Sequence, residues 1–107
     1  MENNYKIYCH LNKINGKRYI GQTKTSVQKR WGHNGYEYTH KSPNSPFAKA
    51  INKYGWDNFE HQILFENLTK EEANQKEIEL IALFKSNNEN YGYNLTAGGS
   101  SNTLNEE

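Results

Sequence analysis

One cysteine, two prolines and the lack of any long apolar run characterise this 107-residue sequence, and each scarcity excludes a class of structure. A single cysteine, Cys9, excludes an internal disulfide and argues against a thiolate zinc site, so we expect it to be a small buried hydrophobe. A membrane helix needs about 18 consecutive apolar residues, and no stretch approaches that length. The opening residues MENNYK lack the apolar region of a signal peptide, which favours an intracellular protein.

Hydrophobic residues are also scarce, at 34% of the chain, and this limits the core that the protein can bury. The length fits one small domain, which we assign to residues 1–99, with residues 100–107 as a frayed tail. Aromatic residues make up 13% of the chain and are expected to supply much of the buried area. The candidates for this role are Tyr5, Phe47, Trp56, Phe59 and Phe84.

The net charge of +1 hides an asymmetry between the two halves of the chain. Residues 1–56 contain ten Lys and Arg against two acidic residues, a net charge of +8, whereas the remainder has a net charge of −7. The basic half also carries aromatic side chains that could stack on bases or sugars, namely Tyr19, Trp31, Tyr36 and Tyr38. This pattern favours a phosphate backbone as partner. The alternative is two solvated faces that attract each other within the fold, and charge alone leaves both open.

Two short strands joined by a turn are predicted near the start of the chain. Residues 5–11 alternate, with Ile7, Cys9 and Leu11 on one face and Lys6, Tyr8 and His10 on the other. Residues 18–22 continue as the second strand, and the link between the strands contains Asn15-Gly16, a favoured hairpin pair.

The hairpin predicts which tyrosines share a face. A turn centred on Asn15-Gly16 pairs residues whose numbers sum to 31, and one centred on Lys13-Ile14 gives 27. Both sums are odd, so in either register Tyr8 and Tyr19 lie on one face, opposite to the apolar residues. Such tyrosines can also merely decorate a sheet.

Helix caps and periodicity place the remaining elements. We predict a short helix from a Thr25 or Ser26 cap to Trp31, a loop over 34–44, a helix from Ser45-Pro46 to Tyr54, a strand over 58–65 and a helix from the Thr69 capping box to about Ser86. The element order is therefore β-β-α-α-β-α, an α+β class. His61 shares the third strand's apolar face, so it is predicted to be a hydrogen-bonded structural histidine.

One residue breaks the pattern of the last helix. Glu77 falls in the middle of the apolar stripe formed by Ala73, Leu80, Ile81 and Phe84. A carboxylate on a packing face is costly unless it is paired, hydrogen-bonded or bound to a metal. A structural ion pair, for example to Arg30, is the alternative to a functional role.

These residues resemble the GIY-YIG nuclease domain over residues 5–99. The motifs that carry the likeness are Lys6-Ile7-Tyr8, Tyr19-Ile20-Gly21, Arg30-Trp31, Glu77 and Gly92-Tyr93-Asn94, in this order. The resemblance implies a three-stranded antiparallel sheet flanked by helices and a divalent-metal-dependent phosphodiesterase that cuts DNA to 5′-phosphate and 3′-hydroxyl ends.

The resemblance also implies roles for individual residues. Tyr8 would be the general base, Arg30 would hold the scissile phosphate, Glu77 would bind one Mg²⁺ or Mn²⁺ ion, and Asn94 would buttress the site. A free phenol ionises only near pH ~10, so nearby cations such as Lys17, or a hydrogen bond to Tyr19 or His33, should favour its anion. The family places histidine or tyrosine four residues after the arginine, where this chain has Asn34. We assign that role to His33, with Tyr36 and Tyr38 as alternatives.

Further expectations concern DNA contacts and partners. The predicted DNA-binding residues are Lys17, Lys24, Lys29 and His40. Family members often carry a separate DNA-targeting domain, so the chain is a catalytic fragment, a sequence-tolerant nuclease or a subunit of an assembly. A binding module that lost catalysis and an interaction domain with a basic partner are the competing functions.

Overall fold

The computed structural model describes residues 3–98, and within that range it contains three strands and four α-helices. The strands are β1 (Tyr5–Asn12), β2 (Arg18–Thr23) and β3 (Phe59–Leu68). The helices are α1 (Val27–Trp31), α2 (Tyr36–Lys41), α3 (Pro46–Tyr54) and α4 (Lys70–Phe84), with 3-10 turns at His33–Gly35 and Trp56–Asn58. The sheet is antiparallel in the order β2-β1-β3, which confirms the predicted fold class. The predicted tail, residues 100–107, lies outside the described residues.

The register of the hairpin differs from both predictions, but its faces do not. Cys9 pairs with Ile20 and His10 with Tyr19, so paired numbers sum to 29. The Asn12 N–H donates to the Lys17 carbonyl at 2.8 Å, and the Asn12 carbonyl accepts from Gly16, which closes a turn of four residues. Gly16 adopts the left-handed conformation that such a turn requires, with φ of 79°. Because 29 is also odd, Tyr8 and Tyr19 share a face as predicted.

Each face of the sheet carries its own core. The aliphatic face packs against α4 and contains Ile7, Cys9, Ile20, Ala73 and Ile81. The aromatic face is covered by α2 and α3 and contains Tyr19, Trp31, Tyr38, Phe47, Trp56, Phe59 and Tyr93. Rings therefore supply much of the buried area, as the composition predicts. Burial raises the pKa of the Cys9 thiol to about 11, which fits an unreactive core residue.

The helix caps were predicted correctly, whereas the prediction of a loop over 34–44 was wrong. Ser26, Ser45 and Thr69 each accept a backbone N–H at a helix start, and Thr69 forms the complete capping box with Glu72. Helix α2 lies within the predicted loop and is held by Tyr38, which is only 8% exposed, and by a 2.8 Å ion pair between Glu37 and Lys41. In the described part of the chain, no helix is long and apolar enough to cross a membrane.

The outer edge of β2 is covered by the segment 91–94 rather than by another strand. The Arg18 N–H donates to the Tyr91 carbonyl at 3.3 Å, and the Arg18 carbonyl accepts from the Tyr93 N–H at 2.9 Å. Gly92 permits this approach, because a Cβ there would lie 2.5 Å from the Arg18 carbonyl oxygen.

Strand β3 also runs three residues beyond its predicted end, to Leu68, because it continues to pair with β1 past two register shifts.

Candidate active site

A cleft of about 1010 Å³ runs along β2, where the two faces of the sheet meet at its edge. Several predicted site residues line it, together with residues that the sequence did not suggest. The lining includes Tyr19, Gly21, Gln22, Lys24, Arg30, Tyr38, Lys41, Asn74, Glu77 and Asn94. Glu77 therefore shares one cavity with Tyr19 and Arg30, although α4 packs against the opposite face of the sheet from the tyrosines.

The Tyr8 hydroxyl is the centre of a hydrogen-bonded group beside the cleft. It accepts from the Arg30 Nε–H at 3.1 Å and is hydrogen-bonded to the Tyr38 hydroxyl at 3.2 Å. The Tyr8 side chain itself is 0% exposed. Proximity to the Tyr8 oxygen raises the pKa of Arg30 despite the opposing effect of burial, so the guanidinium stays charged.

Gly21 separates the Tyr8 hydroxyl from the cleft. The two residues are partners in the β1–β2 register, and a Cβ at Gly21 would lie 2.5 Å from both Cζ and the hydroxyl oxygen of Tyr8. Only a hydrogen atom fits at this position. The last residue of the Tyr19-Ile20-Gly21 motif is thus a glycine for reasons of space.

The Tyr19 ring packs among the other rings of the aromatic face. Its ring stacks on Phe47 with centroids 4.6 Å apart and meets the edge of Tyr38 at 5.7 Å. Burial first and the Tyr8 hydroxyl second raise the pKa of Tyr19, and the Glu77 carboxylate adds to the rise. Tyr19 therefore stays protonated near neutral pH and can donate a hydrogen bond.

Glu77 is a nearly buried carboxylate with an amide partner. It is 8% exposed and accepts from Gln22 Nε2 at 2.8 Å, while the same amide donates to Asn74 Oδ1 at 2.9 Å. Among the described residues no group of three His, Cys, Asp or Glu side chains could hold a metal ion. Mg²⁺ is commonly held by one or two carboxylates, with waters and substrate phosphates completing its shell. Glu77 in an open cleft fits that requirement, whereas Glu37, which also lines the cleft, is ion-paired with Lys41 at 2.8 Å.

Asn94 supports the second motif through the backbone. Its Oδ1 accepts from the Ile20 N–H at 2.9 Å and from the Ser86 hydroxyl at 2.8 Å, and its Nδ2 donates to the Ile20 carbonyl at 2.8 Å. Ile20 lies between Tyr19 and Gly21, so these bonds fix the strand that forms the wall of the cleft. This geometry agrees with a buttressing role for Asn94.

The structure does not bring every predicted residue to the cleft. His33 is exposed in the first 3-10 turn, where its ring nitrogen lies 3.3 Å from Asn34 Nδ2, and Tyr38 instead contacts Tyr8. Lys24 lines the cleft, whereas Lys17 lies at the hairpin turn with its amine 5.8 Å from the Tyr93 ring. Lys29 is exposed on α1, and His40 is exposed on α2 and stacks on Tyr36 at 4.7 Å.

Residues 4–91 match the family model of the GIY-YIG catalytic domain. The chain belongs to the GIY-YIG family. The GIY-YIG chain is 39% identical over 93 residues to segE of Enterobacteria phage T4, a protein named as a proposed endonuclease. That alignment covers 87% of this chain and 41% of segE, so the chain spans less than half of its relative's length.

A solved structure agrees with the fold of the GIY-YIG chain. The catalytic domain of intron endonuclease I-TevI, solved as a glutamate-to-alanine mutant, matches with a TM-score of 0.71 and 26% identity. The match covers 89% of this chain and 96% of that domain. The similarity confirms the predicted family and its α+β architecture.

Sequence reasoning missed Gln22 and did not select Tyr38. Gln22 follows the Tyr19-Ile20-Gly21 motif directly, and strand alternation alone places it on the face that α4 covers, near Glu77. Tyr38 was one of three candidates for the position that follows the arginine motif. The sequence would have favoured it only if residues 36–41 had been predicted to form a helix.

Proposed function

We propose that the GIY-YIG chain is a metal-dependent DNA endonuclease that hydrolyses phosphodiester bonds. The observation that supports this most is the meeting of three kinds of group at one cleft. Arg30, which donates a hydrogen bond to the buried Tyr8 phenol, lines the cleft, and a nearly buried carboxylate (Glu77) lines the same cavity. Hydrolysis of a phosphodiester needs a base for the attacking water and stabilisation of charge on the phosphate.

In this proposal Tyr8 removes a proton from the attacking water, and its oxygen is stabilised as an anion by the two donors that point at it. Arg30 uses its Nε–H for Tyr8. Its Nη groups retain donors that can fork onto two phosphate oxygens, the geometry that arginine provides better than lysine. Attack on phosphorus with departure of the 3′ oxygen would give 5′-phosphate and 3′-hydroxyl ends.

Glu77 would hold one Mg²⁺ or Mn²⁺ ion, with Gln22 fixing the carboxylate through its amide. When bound, the ion supplies a Lewis acid for the phosphate oxygens. Lys24 and Lys41 line the same cleft and would attract the DNA backbone. Because the chain spans less than half of segE, we propose that sequence specificity comes from a further domain or subunit.

Single-turnover cleavage of plasmid and branched DNA in the presence of Mg²⁺, Mn²⁺ or EDTA tests the proposal. Tyr8→Phe and Glu77→Gln should each lower the rate by about 100-fold or more, because each removes a group that acts at the phosphate. DNA affinity and the melting temperature should change little. The matched controls are Tyr91→Phe and Glu89→Gln, which alter the same functional groups at exposed positions and should keep full activity. Full activity in Tyr8→Phe or Glu77→Gln, or cleavage in EDTA, would refute this mechanism.

A second function, DNA binding without cleavage, is favoured by the burial of Tyr8. At 0% exposure its hydroxyl is out of reach of water in this conformation. The nuclease proposal therefore requires a rearrangement that admits water to the Tyr8 hydroxyl when DNA binds. Salt-sensitive DNA binding by the wild-type protein with no cleavage under any metal condition would select the binding function instead.

A further inference from the structure

A line of hydrogen bonds leads from Tyr8 through the aromatic face to β3. The Tyr38 hydroxyl contacts Tyr8 at 3.2 Å and His10 Nε2 at 3.1 Å. On the other side of the ring, His10 Nδ1 lies 2.8 Å from His61 Nδ1. His61 Nε2 lies 3.1 Å from the Trp56 carbonyl oxygen, where the line ends.

The two imidazoles occupy different environments along this line. His10 is 0% exposed and packs against six Tyr, Trp and Phe rings, whereas His61 is only partly buried. Burial is the main cause that lowers the pKa of both residues, so both are neutral at rest. The titratable or charged groups that act on the pair are Tyr8, Tyr19, Arg30, Tyr38, Asp57 and Lys13.

The neutral state fixes the direction of every bond, because a carbonyl can only accept. The Trp56 oxygen requires a proton on His61 Nε2, which leaves His61 Nδ1 bare when that ring is neutral. His10 must then donate from Nδ1 and accept at Nε2. The Tyr38 O–H accordingly points at His10, and the Tyr8 O–H points at Tyr38.

A second arrangement holds the same number of protons with the bonds reversed. Here His10 Nε2–H donates to Tyr38, and Tyr38 donates to Tyr8 across the same 3.2 Å contact. Tyr8 is then an anion that accepts from Tyr38 and Arg30, and the imidazole pair shares one extra proton. Two donors, one of them a cation, are what a phenolate needs in a buried site.

We propose that Tyr38, His10 and His61 form a proton relay that takes the phenolic proton of Tyr8 away from the cleft. The inference rests on the proposed function, in which Tyr8 is the base. The Tyr8 O–H bond breaks and its proton joins the Tyr38 oxygen, while the original Tyr38 proton moves to His10 Nε2. The Nδ1 proton of His10 moves to His61 Nδ1, so the positive charge reaches the partly exposed ring. Tyr8 later takes one proton from the attacking water, and His61 releases one proton to solvent. Tyr8 and the imidazole pair are then all neutral again.

The pH–rate profile of single-turnover cleavage tests the relay. Tyr38→Phe and His61→Ala should lower the rate at neutral pH by about tenfold or more and displace the rising limb to higher pH, because Tyr8 must then ionise without an internal acceptor. A purely structural role would lower the rate equally at every pH. Added imidazole should restore His61→Ala, whose cavity lies against the Trp56 ring. Tyr54→Phe, which removes a hydroxyl that is not in the relay, should keep the wild-type profile.

Nitrogen NMR of the histidine rings tests the relay without cleavage. We expect protonated Nε2 and bare Nδ1 on His61 at neutral pH, and a titration of His61 that is coupled to His10 and altered in Tyr38→Phe. If wild type cleaves DNA and Tyr8→Phe does not, but Tyr38→Phe and His61→Ala keep the wild-type rate and profile, the relay is wrong and the nuclease function stands. If wild type does not cleave, the nuclease function fails. Independent titration of the two rings would then overturn the relay, and coupled titration would support it.

Discussion

At the scale of single residues, the site depends on a glycine, which has no side chain. Tyr8 can lie beside the cleft because Gly21, its partner on β2, leaves room for the phenol. The aromatic face holds the ring in place from the other side, with Trp31 at 5.6 Å and His10 at 5.2 Å. The ring therefore has little freedom to move away from an added methyl group.

Gly21→Ala should lower the cleavage rate by about 100-fold, because the methyl displaces the Tyr8 hydroxyl from Arg30 and Tyr38. The free energy of unfolding should fall by about 1–3 kcal/mol from overpacking. Single-turnover kinetics and denaturant unfolding measure the two effects. Gly16→Ala is the control, since it costs about 1–2 kcal/mol through its positive φ but meets nothing within 4 Å. Equal activity in the two variants would show that the fit around Tyr8 is unimportant.

Residue-level prediction succeeded where a local pattern carries the answer. Alternation placed Tyr8 and Tyr19 on one face, and helical periodicity placed Glu77 on a buried stripe. Neither pattern could predict that His10 meets His61, which is 51 residues away, or that Tyr38 rather than His33 contacts Tyr8. Such contacts depend on how α2 packs on the sheet.

At the scale of elements, α4 combines a strong start with an unusual stripe. Its capping box closes both bonds between Thr69 and Glu72. The stripe that follows includes Glu77, whose burial weakens the packing face that a helix normally uses. The capping box therefore stabilises the start of a helix whose packing face contains a carboxylate.

Thr69→Ala should lower the free energy of unfolding by about 1 kcal/mol, because one helix N–H loses its acceptor. The melting temperature should fall by about 4–8 °C in a domain of this size. Glu72→Gln keeps an oxygen acceptor at the third helical position and should cost much less. Calorimetry of both variants makes the comparison, and an equal loss in both would mean that charge at the helix start, rather than the cap, stabilises α4.

Helix α2 shows why an element can escape prediction. Its six residues, Tyr36–Lys41, offer one strongly buried side chain and no apolar stripe. A helix this short gains its stability from tertiary packing, here the Tyr38 ring, rather than from propensity. The longer helices α3 and α4 begin with caps that can be recognised in the sequence.

At the scale of the whole molecule, the charge asymmetry of the sequence has a location in space. Lys24, Arg30 and Lys41 from the basic half line the cleft, and Glu77 comes from the acidic half. The cleft thus joins the two halves at the proposed site. The overall order of strands and helices was predictable, since every long element carries its own period and boundary signals.

DNA affinity should fall with salt, with a log–log slope of about −4 if the four cleft cations, Lys24, Arg30, Lys41 and Lys70, neutralise one phosphate each. Lys24→Ala should reduce the magnitude of that slope by about 1. Lys53→Ala removes an equal charge from the exposed surface of α3 and should leave the slope unchanged. Fluorescence anisotropy in a salt series measures all three proteins. A slope that responds equally to both variants would mean that DNA does not use the cleft specifically.

The segment 91–94 has a consequence for self-association. Open sheet edges invite strands from other chains, and natural proteins obstruct them. Here the backbone of Arg18 is taken by Tyr91 and Tyr93, and that of Ile20 by the Asn94 carboxamide. The Asn94 side chain thus protects the edge as a fourth strand would, while the neighbouring cavity stays open. Loss of the segment 91–94 would expose the edge of β2 to strands of other chains and promote aggregation.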